Sequence, residues 1–173
     1  MKKAVILAKL VMAQAVDTEI KMIAGIYFLS FICYILSFLT ESVLLLIISI
    51  PFLLFICAMI HEAGHCIGCY INSNKITRVV TPFLTYCNGK LGVANTITPK
   101  SYCSFAKGKN DSLVYILGPM MSLVFAVLSG LLYYVFGSSA LMLLTIIAII
   151  VFLINIIPGE NGDLTKYFNE KNK

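Results

Sequence analysis

The two histidines of this 173-residue chain stand four apart, in His61-Glu62-Ala63-Gly64-His65. On a helix, positions i and i+4 share a face, so both imidazoles can reach one metal ion. Glu62 lies beside them, close enough to hold and deprotonate a metal-bound water. The pattern predicts the zinc site of a metal-dependent peptidase, one Zn2+ per chain, with Glu62 as its catalytic general base. A catalytic zinc takes three protein ligands and leaves a place for water. With no third histidine in the chain, the remaining ligand must be Asp, Glu or Cys.

The elements that carry this motif are unusual for a hydrolase. Sixty per cent of the residues are apolar and only 12% are charged, with a mean hydropathy of +0.93. Soluble domains average about 25% charged residues, so the chain is expected to be an integral membrane protein. Crossing a hydrocarbon layer takes about 20 apolar residues. Four stretches qualify, about 22–39, 42–61, 112–136 and 138–158. The fold class is therefore an all-α membrane protein with about four transmembrane helices. The second span runs through Pro51, where a kink is expected, and on to about residue 70. His61 and His65 fall at its far end.

Charge sets the orientation. All thirteen Lys and Arg lie outside the spans. They fall before the first span, between the second and third, and after the fourth, regions that share one side. The positive-inside rule puts that side, with both termini and the 72–111 loop, in the cytoplasm. Residues 1–21 imitate a secretory signal, but Lys9 splits their apolar stretch. An interfacial helix is the better reading, with its lysines on one broad arc. Residues 22–168 form the core, and 169–173 are a polar tail.

Between the second and third spans, 76–81 and 83–87 are rich in β-branched and aromatic residues, and Asn88-Gly89 is a turn signal before 91–97. They predict a small β-hairpin or three-stranded sheet at the membrane surface. It is either a plain connection or an edge for pairing with an unwound substrate. Cys66 and Cys69 form C-x-x-C just after His65 and invite a zinc-ligand or redox reading. The plainer account treats Cys33 and Cys57 as small buried apolar residues, with the other four cysteines facing a reducing cytosol.

The fourth span ends in Asn155-Ile-Ile-Pro158-Gly-Glu160-Asn-Gly-Asp163, where Pro and Gly end or unwind the helix. This run lies on the same membrane side as the histidines. Glu160 and Asp163 are both candidates for the missing ligand, Glu170 a weaker one, and spacing does not separate the first two.

Taken with Gly118-Pro119 in the third span and the order Asn155, Pro158, Asp163, the motif at the end of a transmembrane helix resembles the site-2 protease family of intramembrane zinc metalloproteases. The resemblance covers about residues 22 to 168, in a minimal form without PDZ or CBS domains. It implies that Asp163 completes the metal set of His61 and His65, that Glu62 is the catalytic base, and that Asn155 helps position substrate. Gly118, Pro119 and Pro158 take structural parts. Two positions depart from the family pattern: Leu164 follows the aspartate where Gly is usual, and Ser122 replaces an asparagine in the third span. The implied activity is an endopeptidase acting near the cytoplasmic face. Its expected partners are the lipid bilayer and a transmembrane or membrane-anchored peptide substrate, with no nucleic acid.

Two other readings compete. A chance H-E-x-x-H would be an ordinary pair of core or surface histidines. A non-catalytic membrane binding or accessory protein, serving immunity or peptide export, would retain the fold but need no general base at Glu62.

Overall fold

The computed structural model describes residues 22–80, 84–87, 90–93, 102–106, 111–157 and 162–171. The expected N-terminal interfacial helix, the Asn88-Gly89 turn, Pro158 and Glu160 lie outside them. Four helices have the length and composition to cross a membrane: α1 (Met22–Thr40), α2 (Val43–Ile71), α3 (Ser112–Phe136) and α4 (Ser139–Ile156). A short fifth helix, α5 (Asp163–Lys171), follows. Four strands stand between α2 and α3: β1 (Ile76–Val80), β2 (Leu84–Cys87), β3 (Lys90–Val93) and β4 (Tyr102–Phe105).

The bundle is built the way an apolar solvent demands. Leu39, Val43, Leu44 and Val135 are each 70% exposed or close to it, as side chains facing lipid tails would be. The buried positions between helices hold small residues instead, among them Ser30, Ser37, Ser49, Ala126, Ser129, Ala140 and Ala148. Small side chains let helix backbones approach closely, which is how helices associate where burial from water supplies no drive. Ser49 and Ser129 satisfy themselves locally: Ser49 Oγ donates to Leu46 O at 2.7 Å and Ser129 Oγ to Ala126 O at 3.0 Å. The apolar centre is Leu53, Cys57, Ala126, Ile147 and Ala148, drawn from α2, α3 and α4.

Helix α2 has 29 residues and runs through Pro51 as one element, about 44 Å long at 1.5 Å per residue. That exceeds a hydrocarbon layer of about 30 Å. His61 stands about 27 Å along the axis from Val43. A layer beginning at Val43 therefore ends at the motif, where polar groups are least costly. Between α3 and α4, Gly137 takes the left-handed conformation (φ 66°) and donates its N–H to Tyr133 O at 2.7 Å. A glycine is favoured there because a Cβ would strain that backbone.

The expected small antiparallel sheet is present between α2 and α3, and β4 extends it on its other side. The order is β3-β2-β1-β4, which leaves β4 at an edge. Val79 of β1 lies between Tyr86 of β2 and Cys103 of β4, and the β1–β4 register shifts between Ile76 and Arg78. Arg78 sits over the Tyr102 ring at 5.8 Å.

Candidate metal centre

Helix α2 places His61, Glu62 and His65 in its interior-facing half, at 5%, 5% and 7% exposure. What brings α3 against them is the absence of side chains. A Cβ on Gly64 would stand 2.3 Å from Leu117 O, and one on Gly68 would stand 2.7 Å from Val114 Cα. Gly64 and Gly68 therefore let α3 lie directly on α2. The reciprocal gap is at Gly118, where a Cβ would meet His65 Cε1 at 2.4 Å. The His65 ring occupies the space that Gly118 leaves open.

This close approach puts α3 groups on the far nitrogen of each imidazole. His65 Nδ1 lies 2.7 Å from Val114 O. A carbonyl only accepts, so Nδ1 carries the proton and Nε2 of the neutral ring is a bare lone pair. His61 Nδ1 lies 3.1 Å from Ser122 Oγ, whose hydroxyl reaches Gly118 O at 3.4 Å. With that hydroxyl proton directed at Gly118, the oxygen accepts from His61 Nδ1–H, and His61 Nε2 is bare as well. Metal-ligating histidines characteristically have their other nitrogen held in this way.

The third group arrives from the opposite end of the chain. Asp163 opens α5, and its Oδ2 lies 3.0 Å from His61 Nε2 and 3.2 Å from His65 Nε2. The two Nε2 atoms are 3.1 Å apart. Burial opposes ionisation of Asp163, yet the hydrogen bonds that His61 and His65 donate once an Nε2 atom takes up a proton outweigh it and hold the carboxyl well below the usual carboxylate range. Lys166 Nζ, one turn on, approaches the other oxygen, Oδ1, at 3.7 Å.

With both rings neutral and protonated at Nδ1, three acceptor atoms converge with no donor between them. Protonating both rings would set two imidazolium N–H groups against each other across 3.1 Å, so that remedy is poor. A cation suits the arrangement better. Ligands 2.0–2.1 Å from a tetrahedral zinc stand about 3.3 Å apart, close to the three separations seen here. Among the described residues, His61, His65 and Asp163 are the group able to hold a metal ion. Cys66 and Cys69 are not part of it.

A cavity of about 690 Å³ opens on this cluster, lined by Glu62, Tyr115, Asn155 and Lys166 as well as by Tyr102, Cys103 and Phe105 of β4. Glu62 Oε2 is buried without a hydrogen-bond partner among the described residues. A buried carboxylate oxygen is costly to leave so, and its position in the cavity wall suits an incoming water or substrate group. Asn155 anchors through Nδ2 to Val151 O at 2.8 Å.

The structure therefore brings together His61, Glu62, His65, Asn155 and Asp163, with Gly118 and Pro119 fully buried behind them. Sequence reasoning did not single out Ser122 or the Val114 carbonyl as partners of the histidines, nor Lys166 or β4 as parts of the cavity wall. The G-x-x-x-G spacing of Gly64 and Gly68 was a signal for close packing of α3. The chain matches no family model, no curated protein and no solved structure.

Proposed function

We propose that the protein is a zinc-dependent intramembrane endopeptidase of the site-2 protease type. It would hydrolyse peptide bonds of membrane-embedded or membrane-anchored substrates near the cytoplasmic face. The observation that carries this reading is the meeting of three acceptors, from His61, His65 and Asp163, in one cavity with Glu62, whose Oε2 has no hydrogen-bond partner among the described residues. A structural metal site has no use for the fourth group.

His61 Nε2, His65 Nε2 and Asp163 Oδ2 would hold the metal. When bound, zinc acidifies a coordinated water toward about pH 7 and polarises a carbonyl oxygen. Glu62 accepts the proton of the attacking water and returns it to the leaving amine. Ser122 and the Val114 carbonyl keep both imidazoles turned so that their Nε2 lone pairs face the cavity. Asn155 lies in the wall where a substrate backbone would pass. A helical substrate hides its carbonyls in i→i−4 bonds and must unwind first. Strand β4, an edge strand in the same wall, offers backbone groups for pairing with the unwound segment.

The test is zinc content of purified protein, wild type against Glu62→Ala, Asp163→Ala and Glu160→Ala, with hydrolysis of a transmembrane peptide followed in parallel. Asp163→Ala alone among these should lose most of the metal, while Glu62→Ala keeps it and loses hydrolysis. Full zinc in Asp163→Ala would refute the ligand set. Undiminished hydrolysis in Glu62→Ala would refute the enzyme.

A further inference from the structure

Beside the metal cluster stands a second reactive pair that the peptidase chemistry does not use. Cys66, directly after His65 on α2, has its Sγ 4.0 Å from Cys103 Sγ on β4. Both are half-buried, whereas Cys33, Cys57 and Cys69 are buried and Cys87 is exposed. Cys103 lines the cavity, so a small solute entering from water reaches its sulfur first.

We propose that Cys66 and Cys103 are a site of reversible oxidation by hydrogen peroxide, closing a disulfide that pins β4 to α2 at the wall of the metal cavity. The Cys103 sulfur attacks the peroxide, forming an S–O bond as the O–O bond breaks. The departing hydroxide takes the thiol proton and leaves as water. Cys66 then attacks the oxidised sulfur, the S–S bond forms, the S–O bond breaks, and a second water leaves with the Cys66 proton. Two thiols and one peroxide give one disulfide and two waters: the sulfurs lose two electrons and the peroxide oxygens gain them. Disulfides in a reducing compartment are of this transient, sensing kind.

The packing says which element moves. A disulfide needs its sulfurs about 2.05 Å apart, so the present 4.0 Å separation must close by about 2 Å. Helix α2 is fixed, because α3 lies on it at Gly64 and Gly68 with no room for a methyl group. Strand β4 is an edge strand, tied to the sheet through β1 across an irregular register. It is therefore β4 that shifts, carrying Tyr102 and Phe105 with it into the cavity. A displacement of about 1 Å in a positioning element can reduce turnover about 100-fold. The loss of turnover rests on the peptidase reading; the disulfide does not.

The test uses the full chain, zinc-loaded in detergent, treated with hydrogen peroxide, capped with N-ethylmaleimide and digested without reductant for mass spectrometry. Joined peptides containing Cys66 and Cys103 are expected, separating again with dithiothreitol. Cys66→Ser and Cys103→Ser should each abolish the link, and Cys87→Ser should leave it. A Cys66–Cys69 link, or a stable sulfinic acid on Cys103 in the wild type, would overturn the pair. If the link forms and an initially active protein keeps its full rate of peptide hydrolysis, the pinning of β4 is wrong. If the link forms in a protein that never hydrolyses peptides, the thiol pair stands and the peptidase reading falls.

Discussion

Gly118→Ala isolates the contribution of α3 to the proposed metal site without replacing any of the three residues that would hold the ion. The added methyl would lie 2.4 Å from His65 Cε1 and 2.5 Å from His65 Nε2. Ordinary carbon contacts begin near 3.5 Å, so the ring must retreat by about 1 Å. It cannot do so freely, because Nδ1 is held at 2.7 Å by Val114 O on the same helix. Metal–ligand distances tolerate about 0.2 Å, so a shift of this size removes His65 from good coordination. Lesser disturbances behind a ligand reduce metal affinity about 10- to 100-fold, and the upper end of that range is expected here. The assay is zinc competition against a chromophoric chelator on detergent-purified protein. Gly130→Ala is the matched control on the same helix, since its methyl would meet Thr145 Cγ2 at an unstrained 3.5 Å. It should bind zinc as the wild type does. If Gly118→Ala folds and matches the affinity of Gly130→Ala, the His65 ring does not depend on α3 in the way argued.

Three further outcomes follow from the same geometry. Ser122→Ala leaves His61 Nδ1 without the oxygen now 3.1 Å away; zinc affinity should fall about 10-fold, and Ser122→Asn, which supplies another acceptor, should recover part of it. Glu62→Gln should keep zinc by elemental analysis and lose at least about 100-fold in peptide hydrolysis, whereas unchanged hydrolysis would favour the non-catalytic accessory reading. Zinc occupancy, followed by equilibrium dialysis, should fall in acid, because metal ligands must be deprotonated to bind. Asp163 resists this longer than a free carboxylate, since its carboxyl is held below the ordinary value, so its share of the affinity persists to lower pH than that of an unpaired aspartate.

How much of this was readable beforehand differs by residue for physical reasons. His61, Glu62 and His65 are local in sequence, and helical periodicity alone puts them on one face. The four spans were equally plain, because lipid exposure writes itself into continuous apolar runs. Asp163 is different. It lies 102 positions from its partner His61, and residue order and membrane side narrowed the choice without deciding it between Glu160 and Asp163. The Val114 carbonyl is a backbone group and leaves no trace in residue type. Ser122 was visible only as a departure from a family pattern, yet its hydroxyl stands where an acceptor for His61 is needed. Strand β4 pairs with β1 rather than with β3, its neighbour in the chain, so no local hairpin signal marks it.

The division of labour among the helices explains why these positions matter together. Helix α3 supplies no metal ligand, yet it fixes the proton position on both histidines and provides the gap that seats His65. Its approach depends on Gly64, which lies inside the H-E-x-x-H motif, and on Gly68 one turn later. Gly64, the residue directly before the second histidine, is therefore not a neutral spacer. Filling it would separate α2 from α3 and release both imidazoles at once, leaving Asp163 opposite rings with no fixed tautomer. A motif read as two ligands and a base thus also specifies the helix contact that turns His61 and His65 toward Asp163.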